Sequence, residues 1–246
     1  MNARLVGGLA ALALAGWAAP ASADTVKETP GKPCEPGGGQ GTGNPCNGNQ
    51  GNPSPEGNAG EKVKYDKNPD PFTIVRGEGR GAFIAQIGEA NQATIAQSRN
   101  TQYARIDQTG DRNAATATQV GAGAHYAAVS QNGADNLARL TQSGAGTQVA
   151  YLTQDGNSNL LTVTQNGGLT TTSGVEAMQL GDRNTMSLTQ NGENNMARLT
   201  QNGSDSAMTA VQNGNNQLTW TQTGTGLSDL QITQPAGQAL LVTQTK

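Results

Sequence analysis

The chain has 246 residues with a formal net charge of −3, and is 34% hydrophobic, 3% aromatic and 13% charged, with 34 glycines. An ordinary globular domain is roughly 45–50% apolar and about 25% charged. Two Trp, two Phe and four Tyr therefore exclude a large rounded core, the low charge argues against a solvated polyelectrolyte, and the charge balance offers no footprint for nucleic acid.

Residues 1–23 read as a secretory signal peptide. Arg4 supplies the positive start, residues 5–19 a short apolar stretch, and Ala21-Ser22-Ala23 the small residues of a cleavage site. The stretch is too short and too rich in Ala and Gly for a retained membrane helix, which predicts an exported, water-soluble or surface-attached chain. Residues 24–79 follow as a Gly/Pro/Asn-rich leader, expected to be disordered. Cys34 and Cys46, twelve apart, fit a small disulfide loop in an exported chain, with a free or anchoring thiol as the alternative. A metal site is disfavoured there, because neither a His nor a second Cys pair accompanies them.

At Arg80 the character changes, and residues 80–246 form a repeat domain. Glutamines fall at Gln86, Gln97, Gln108, Gln119, Gln131, Gln142, Gln154, Gln165, Gln179, Gln190, Gln201, Gln212, Gln222, Gln234 and Gln244, mostly eleven apart. A fixed short period indicates a solenoid and outranks local secondary-structure signals. Two and four residues before each Gln the side chain is always apolar, as in Ile95 and Ala93 or Leu188 and Met186. Six before, apart from Arg80, it is Asn, Gln, Ser or His. The unit is thus polar, x, apolar, x, apolar, x, Gln, and its period of two places these four residues on one face of a strand. Fifteen such units at period two exclude a helix.

Length variation falls in the turns: residues 120–124, 143–147 and 166–172 carry insertions, whereas 213–215 and 235–237 are short. Glycine in the common x-Gly-x-x turn supplies the positive φ of a tight corner. Asn91, Asn113, Asn136, Asn159 and Asn184 open alternate units, whereas Gln102, His125, Gln148 and Ser173 open the others, with Asn195 a further polar-ladder candidate. The physical repeat is therefore about 22 residues, strand–turn–strand–turn. The predicted fold is an all-β solenoid of about seven coils with cross-β stacking, the coils about 4.8 Å apart. Its Gln and Asn columns become ladders of buried amides paired along the stack. The last unit, residues 238–244, ends two residues before Lys246. That arrangement predicts an open strand edge, a template for a further strand, and hence a head-to-tail, non-closing contact between copies.

The run Gln86-x-Gly88-x-x-Asn91-x-Ala93-x-Ile95-x-Gln97 resembles the curlin repeat of bacterial curli subunits, and residues 108–119, 131–142, 179–190 and 190–201 repeat it closely. The resemblance implies a secreted functional amyloid of the biofilm matrix, involved in adhesion and surface attachment. It also implies a homopolymeric fibre at the cell surface, a nucleator and an outer-membrane secretion pore as partners, and no cofactor. Two departures stand out: the units open on Gln, His or Asn where the family commonly has Ser, and the Cys-containing leader is longer than a curli-type targeting segment.

An enzyme is disfavoured. The sole histidine, His125, falls in the inward polar column, and the carboxylates are scattered over turns without the pairing that sugar hydrolysis needs. The turns also lack the Gly-Gly-x-Gly-x-Asp pattern of calcium coils. The rival reading is a monomeric ice-binding or adhesive solenoid, because outward Thr116, Thr118, Thr162, Thr164, Thr189 and Thr209 form a Thr-rich face. Arg139, Val211 and Gln231 interrupt it.

Overall fold

The computed structural model describes residues 24–25, 60–169 and 171–246; the predicted signal peptide, Cys34 and Cys46 lie outside the described residues. The repeat region is an all-β solenoid whose units alternate between two parallel sheets. In the front sheet, β3 (Gly81–Ile87), β5 (Tyr103–Thr109), β7 (Tyr126–Asn132), β9 (Gln148–Asp155), β11 (Ser173–Leu180), β13 (Met196–Asn202), β15 (Gln217–Thr223) and β17 (Ala239–Thr245) stack in order. The back sheet comes in two runs. The first is β4 (Gln92–Gln97), β6 (Ala114–Val120) and β8 (Leu137–Ser143), and the second is β10 (Leu160–Asn166), β12 (Thr185–Asn191), β14 (Ala207–Asn213) and β16 (Leu230–Gln234). A hydrogen bond of 2.8 Å from Gln142 to Gln165 joins the two runs.

Register follows the sequence columns, so Gln108 pairs with Gln131 and Leu188 with Ala210. Alternate residues point inward, and strand after strand shows the matching alternation of burial. The core is correspondingly thin. It consists of two apolar columns per sheet, including Ile106, Leu140, Leu152, Leu199 and Trp220, all buried between the sheets. Each strand generally starts one residue after the opening polar residue and ends one past the Gln, which leaves the polar column at the corner.

The two corners of a coil differ. Where a front strand passes to a back strand, the first six corners have four residues between Gln and the next polar residue. The insertions and deletions in residues 120–124, 143–147, 166–172, 213–215 and 235–237 fall on the opposite side, where the back strand returns to the front. At the constant corner a glycine with positive φ stands over the next coil's glycine. A Cβ on Gly110 would lie 2.0 Å from the Gly133 carbonyl oxygen, and one on Gly181 would lie 2.1 Å from that of Gly203. Two residues further on, each constant corner visits the left-handed region again at Ala90, Arg112, Asp135, Ser158, Arg183 and Asp205. The variable corners are mixed: a Cβ on Gly121 or Gly144 would also meet the next coil's carbonyl oxygen, at 2.3 and 2.2 Å, whereas Gly192 and Gly237 face no stacked carbonyl.

The ordered structure reaches further toward the N-terminus than residue 80, correcting the expectation of a disordered leader over its last twenty residues. β2 (Lys62–Asp66) pairs antiparallel with β17, and β1 (Asp24–Thr25) pairs parallel with β16. From β2 the chain turns through Pro69 and Pro71 and runs back across the front sheet. Gln217 donates to the Asp70 carbonyl, Phe72 lies under the Arg198 guanidinium at 4.7 Å, and buried Ile74 fills the space left by the missing Cβ of Gly174. The Tyr151 hydroxyl then donates to the Val75 carbonyl, while Arg76 donates to Ala124 and Thr101 and lies over the Tyr126 ring. Between Asp70 at β15 and Gly79 at β5, nine residue steps cross five inter-strand spacings, ~24 Å, within reach of an extended chain. The strap also meets the stacked Tyr103 and Tyr126 rings, 4.7 Å apart, at Gly79 and Gly77, which gives the rings a packing role.

Candidate functional site: the amide ladders and the two ends of the stack

The Gln columns form two polar ladders. In the back ladder Gln97 donates to Gln119, and each rung in turn donates to the next through Gln142, Gln165, Gln190, Gln212 and Gln234, at 2.7–2.9 Å. In the front ladder Gln86 donates to Gln108 and Gln108 to Gln131. Gln154 then donates to Gln179, which continues through Gln201 and Gln222 to Gln244. The step from Gln131 to Gln154 is the exception: the buried Gln154 Oε1 has no partner.

Most rungs use their second hydrogen across the core. Gln119 Nε2 donates to the Tyr103 carbonyl, Gln190 to Gly174 and Gln222 to Ala207, so these Gln tie their own sheet to the start of a strand in the other. A carboxylate of the same shape has no hydrogen to donate, and Asn is one methylene short. Two donors and one acceptor on a long stem are what this geometry uses. The period alone could not reveal this second bond, because it links residues that the repeat does not align.

The opening column divides by sheet. Asn113, Asn136, Asn159 and Asn184 are buried, and with Asn91 they line the constant corner. Asn136 Nδ2 donates to the Gly156 carbonyl at 2.7 Å, and its Oδ1 accepts from the Asn159 backbone at 3.0 Å. The same pair of contacts recurs from Asn91 to Asn184, ending in Ser206. Asn195 stands in the other column, at a variable corner. It donates to the Asn191 carbonyl and accepts from the Gly214 backbone. In that column Gln102 accepts from the Ser98 and Arg99 backbones, and Gln148 donates to the Ser143 carbonyl. Each side chain there tailors its own loop.

His125 is buried in the same column, with Nε2 3.0 Å from the Val120 carbonyl and Nδ1 unpartnered. Burial holds its imidazole below the ordinary histidine range, so it sits neutral, donating to Val120. A cleft of about 650 Å³ beside Phe72, Met196, Asn216 and Gln217 has no titratable residue in its lining. Exposed ion pairs at the constant corner, Arg112 with Asp135 and Arg183 with Asp205, join adjacent coils.

The ends of the stack are unlike each other. At the N-terminal end β3 and β4 each pair on one side alone among the described residues, and Phe83 and Ile87 are exposed while Ile84, Ala93 and Ile95 are partly covered. Apart from the Gln131–Gln154 step, each rung accepts from the coil before and donates to the coil after, so Gln86 and Gln97 present first acceptors with no coil before them. At the C-terminal end Gln244 donates to the Glu61 carboxylate, which also accepts from the Ser228 hydroxyl and backbone.

Comparison with known proteins yields one family. A model described as the curlin associated repeat matches residues 133–167 and 181–214, which span β8 with β10 and β12 with β14 together with the strands between them. Neither the curated proteins nor the solved structures give a match.

Proposed function

We propose, from the two matches to the curlin associated repeat and from the ladders, that this chain is the structural subunit of an extracellular, curli-like amyloid fibre. The observation that carries the reading is the single direction of both Gln ladders, which leaves acceptors at one end of the stack and donors at the other. A second copy placed with its β3 on β17 continues the front ladder, its apolar columns and its backbone pairing. The back sheet, with seven repeat strands to the front sheet's eight, is left one strand short at the joint, where β1 pairs with β16. Such a heterologous contact does not close and extends into a filament. Within this reading residues 1–23 direct export, residues 24–79 form a leader whose last part packs on the stack, and residues 80–246 are the polymerising unit. A nucleator at the cell surface and an outer-membrane secretion pore are the expected partners. Attachment and biofilm matrix are the expected roles, with no cofactor and no catalysis.

Incubating the purified chain and recording thioflavin binding, electron micrographs and fibre diffraction tests the proposal. Unbranched fibres with a meridional reflection at about 4.8 Å are expected. A persistent monomer that depresses the freezing point would replace this reading with the ice-binding one, for which the back sheet's outward Thr162, Thr164, Thr189 and Thr209 would be the surface.

A further inference from the structure

The edge that a growing fibre would use is already occupied by the chain itself. We infer that residues 61–66 are a removable plug which imitates the first coil of a second copy and must leave β17 before that copy can add. The inference rests on the fibre reading above.

Three observations carry it. The Glu61 carboxylate accepts from Gln244 Nε2, which is the bond that every earlier front rung but Gln131 gives to the Gln of the following coil. Glu61 thus stands for the Oε1 of an incoming Gln86, but it has no hydrogen to pass the ladder on. β2 then satisfies the backbone of β17 from Leu241 to Thr245, but in the antiparallel sense, whereas every other long pairing in the solenoid is parallel. A β3 strand of a second copy would restore seven in-register pairs where β2 supplies five.

The plug is also weakly held. All five β2 residues are exposed, and Val63 and Tyr65 keep 38% and 47% of their surface in water. Elements with few buried contacts and exposed backbone bonds open first. The strap from Asp70 onward is anchored differently, through Ile74, Arg76 and the Tyr151 hydroxyl. Pro69 and Pro71 divide the two segments. The plug can therefore detach while the strap stays in place, and an edge strand is protected until a matching coil displaces its cover.

A reversible lock tests this. Lys64 and Thr243 are register partners, so Lys64→Cys with Thr243→Cys, in the full chain carrying Cys34→Ser and Cys46→Ser, pins β2 on β17 through a disulfide. A control lock, Thr118→Cys with Thr141→Cys, joins two adjacent back strands away from either end. The plug-locked chain, with the circular dichroism of the unlocked one, is expected to lengthen the lag by about tenfold or more and to recover on reduction, whereas the control lock assembles normally. Glu61→Ala should shorten the lag and Glu61→Gln, which keeps an acceptor, should shorten it less. Locked and unlocked chains assembling equally fast would overturn the plug while leaving the fibre reading intact. An unlocked chain that forms no fibre would overturn both.

Discussion

Replacing Gly181 with Ala perturbs the constant corner alone, and its cost can be worked from the backbone. Gly181 holds φ at +108°, and an added Cβ would meet the Gly203 carbonyl oxygen at 2.1 Å and its carbon at 2.8 Å. The conformational strain costs about 1–3 kcal/mol. Forcing a methyl group against a backbone carbonyl costs about 1–3 kcal/mol more, because that carbonyl is the acceptor for Asn184 and cannot withdraw freely. The expected loss is about 4 kcal/mol. Gly192→Ala is the comparison: it is also left-handed, at φ +79°, but the nearest atom is the Gly214 Cα at an ordinary 3.6 Å, so only about 1 kcal/mol is lost. With an m-value of about 2 kcal/mol/M in urea, the midpoints followed by far-ultraviolet circular dichroism should fall by about 2 M and about 0.5 M respectively. Shifts of equal size at the two glycines would refute the clash with the stacked carbonyl as the source of the larger cost.

Other consequences follow from the ladders and the buried column. Gln190→Leu strands the Gln212 acceptor and removes the partner of a Gln165 donor; urea unfolding of the monomer should register a loss of about 2–4 kcal/mol. Gln97→Leu sits on the open first rung, so its monomer should lose less while thioflavin-monitored growth slows; unchanged kinetics would argue against a directing ladder. Burial holds His125 below its ordinary range, so below about pH 6.5 the unfolded chain binds a proton that the native column refuses. Stability should then fall with pH by at most about 1.4 kcal/mol per unit, and His125→Gln should flatten urea midpoints measured between pH 7.5 and 5. Asp135→Asn removes the charge of an exposed pair with Arg112 while keeping a residue suited to the left-handed backbone there, and should leave the urea midpoint unchanged.

The strands were legible because a buried stack enforces the same residue class at the same place in every coil. Leu188, Leu199 and Trp220 differ in size, yet all are apolar, and Gln recurs because both of its amide hydrogens have a use. The insertions at residues 120–124 and 166–172 were legible as turn length, but not as belonging to one side of the coil. That assignment needs the alternation of units traced through to the corners. The left-handed positions at Ala90, Arg112, Asp135 and Ser158 carry no common residue type, so composition gives no sign of them. β2 was hidden for a different reason. Lys62–Asp66 has no repeat to align with, pairs antiparallel and exposes every side chain, so neither periodicity nor hydrophobicity marks it. The strap depends on one buried residue, Ile74, whose seat exists because Gly174 lacks a side chain; a local reading cannot connect positions a hundred residues apart.

In the proposed fibre, copies stack with β17 of one against β3 of the next, in the register already used inside the chain. Continuing the pairing of Thr219 with Leu241 and of Phe83 with Arg105 sets Leu241 of one copy beside Phe83 of the following one. Fibres grown from a mixture of Phe83→Cys and Leu241→Cys chains, each carrying Cys34→Ser and Cys46→Ser, should form an intermolecular disulfide across about 4.8 Å. Phe83→Cys mixed with Thr243→Cys, two residues out of register at about 8 Å, should not. Efficient cross-linking of the second pair, or of neither, would contradict the account.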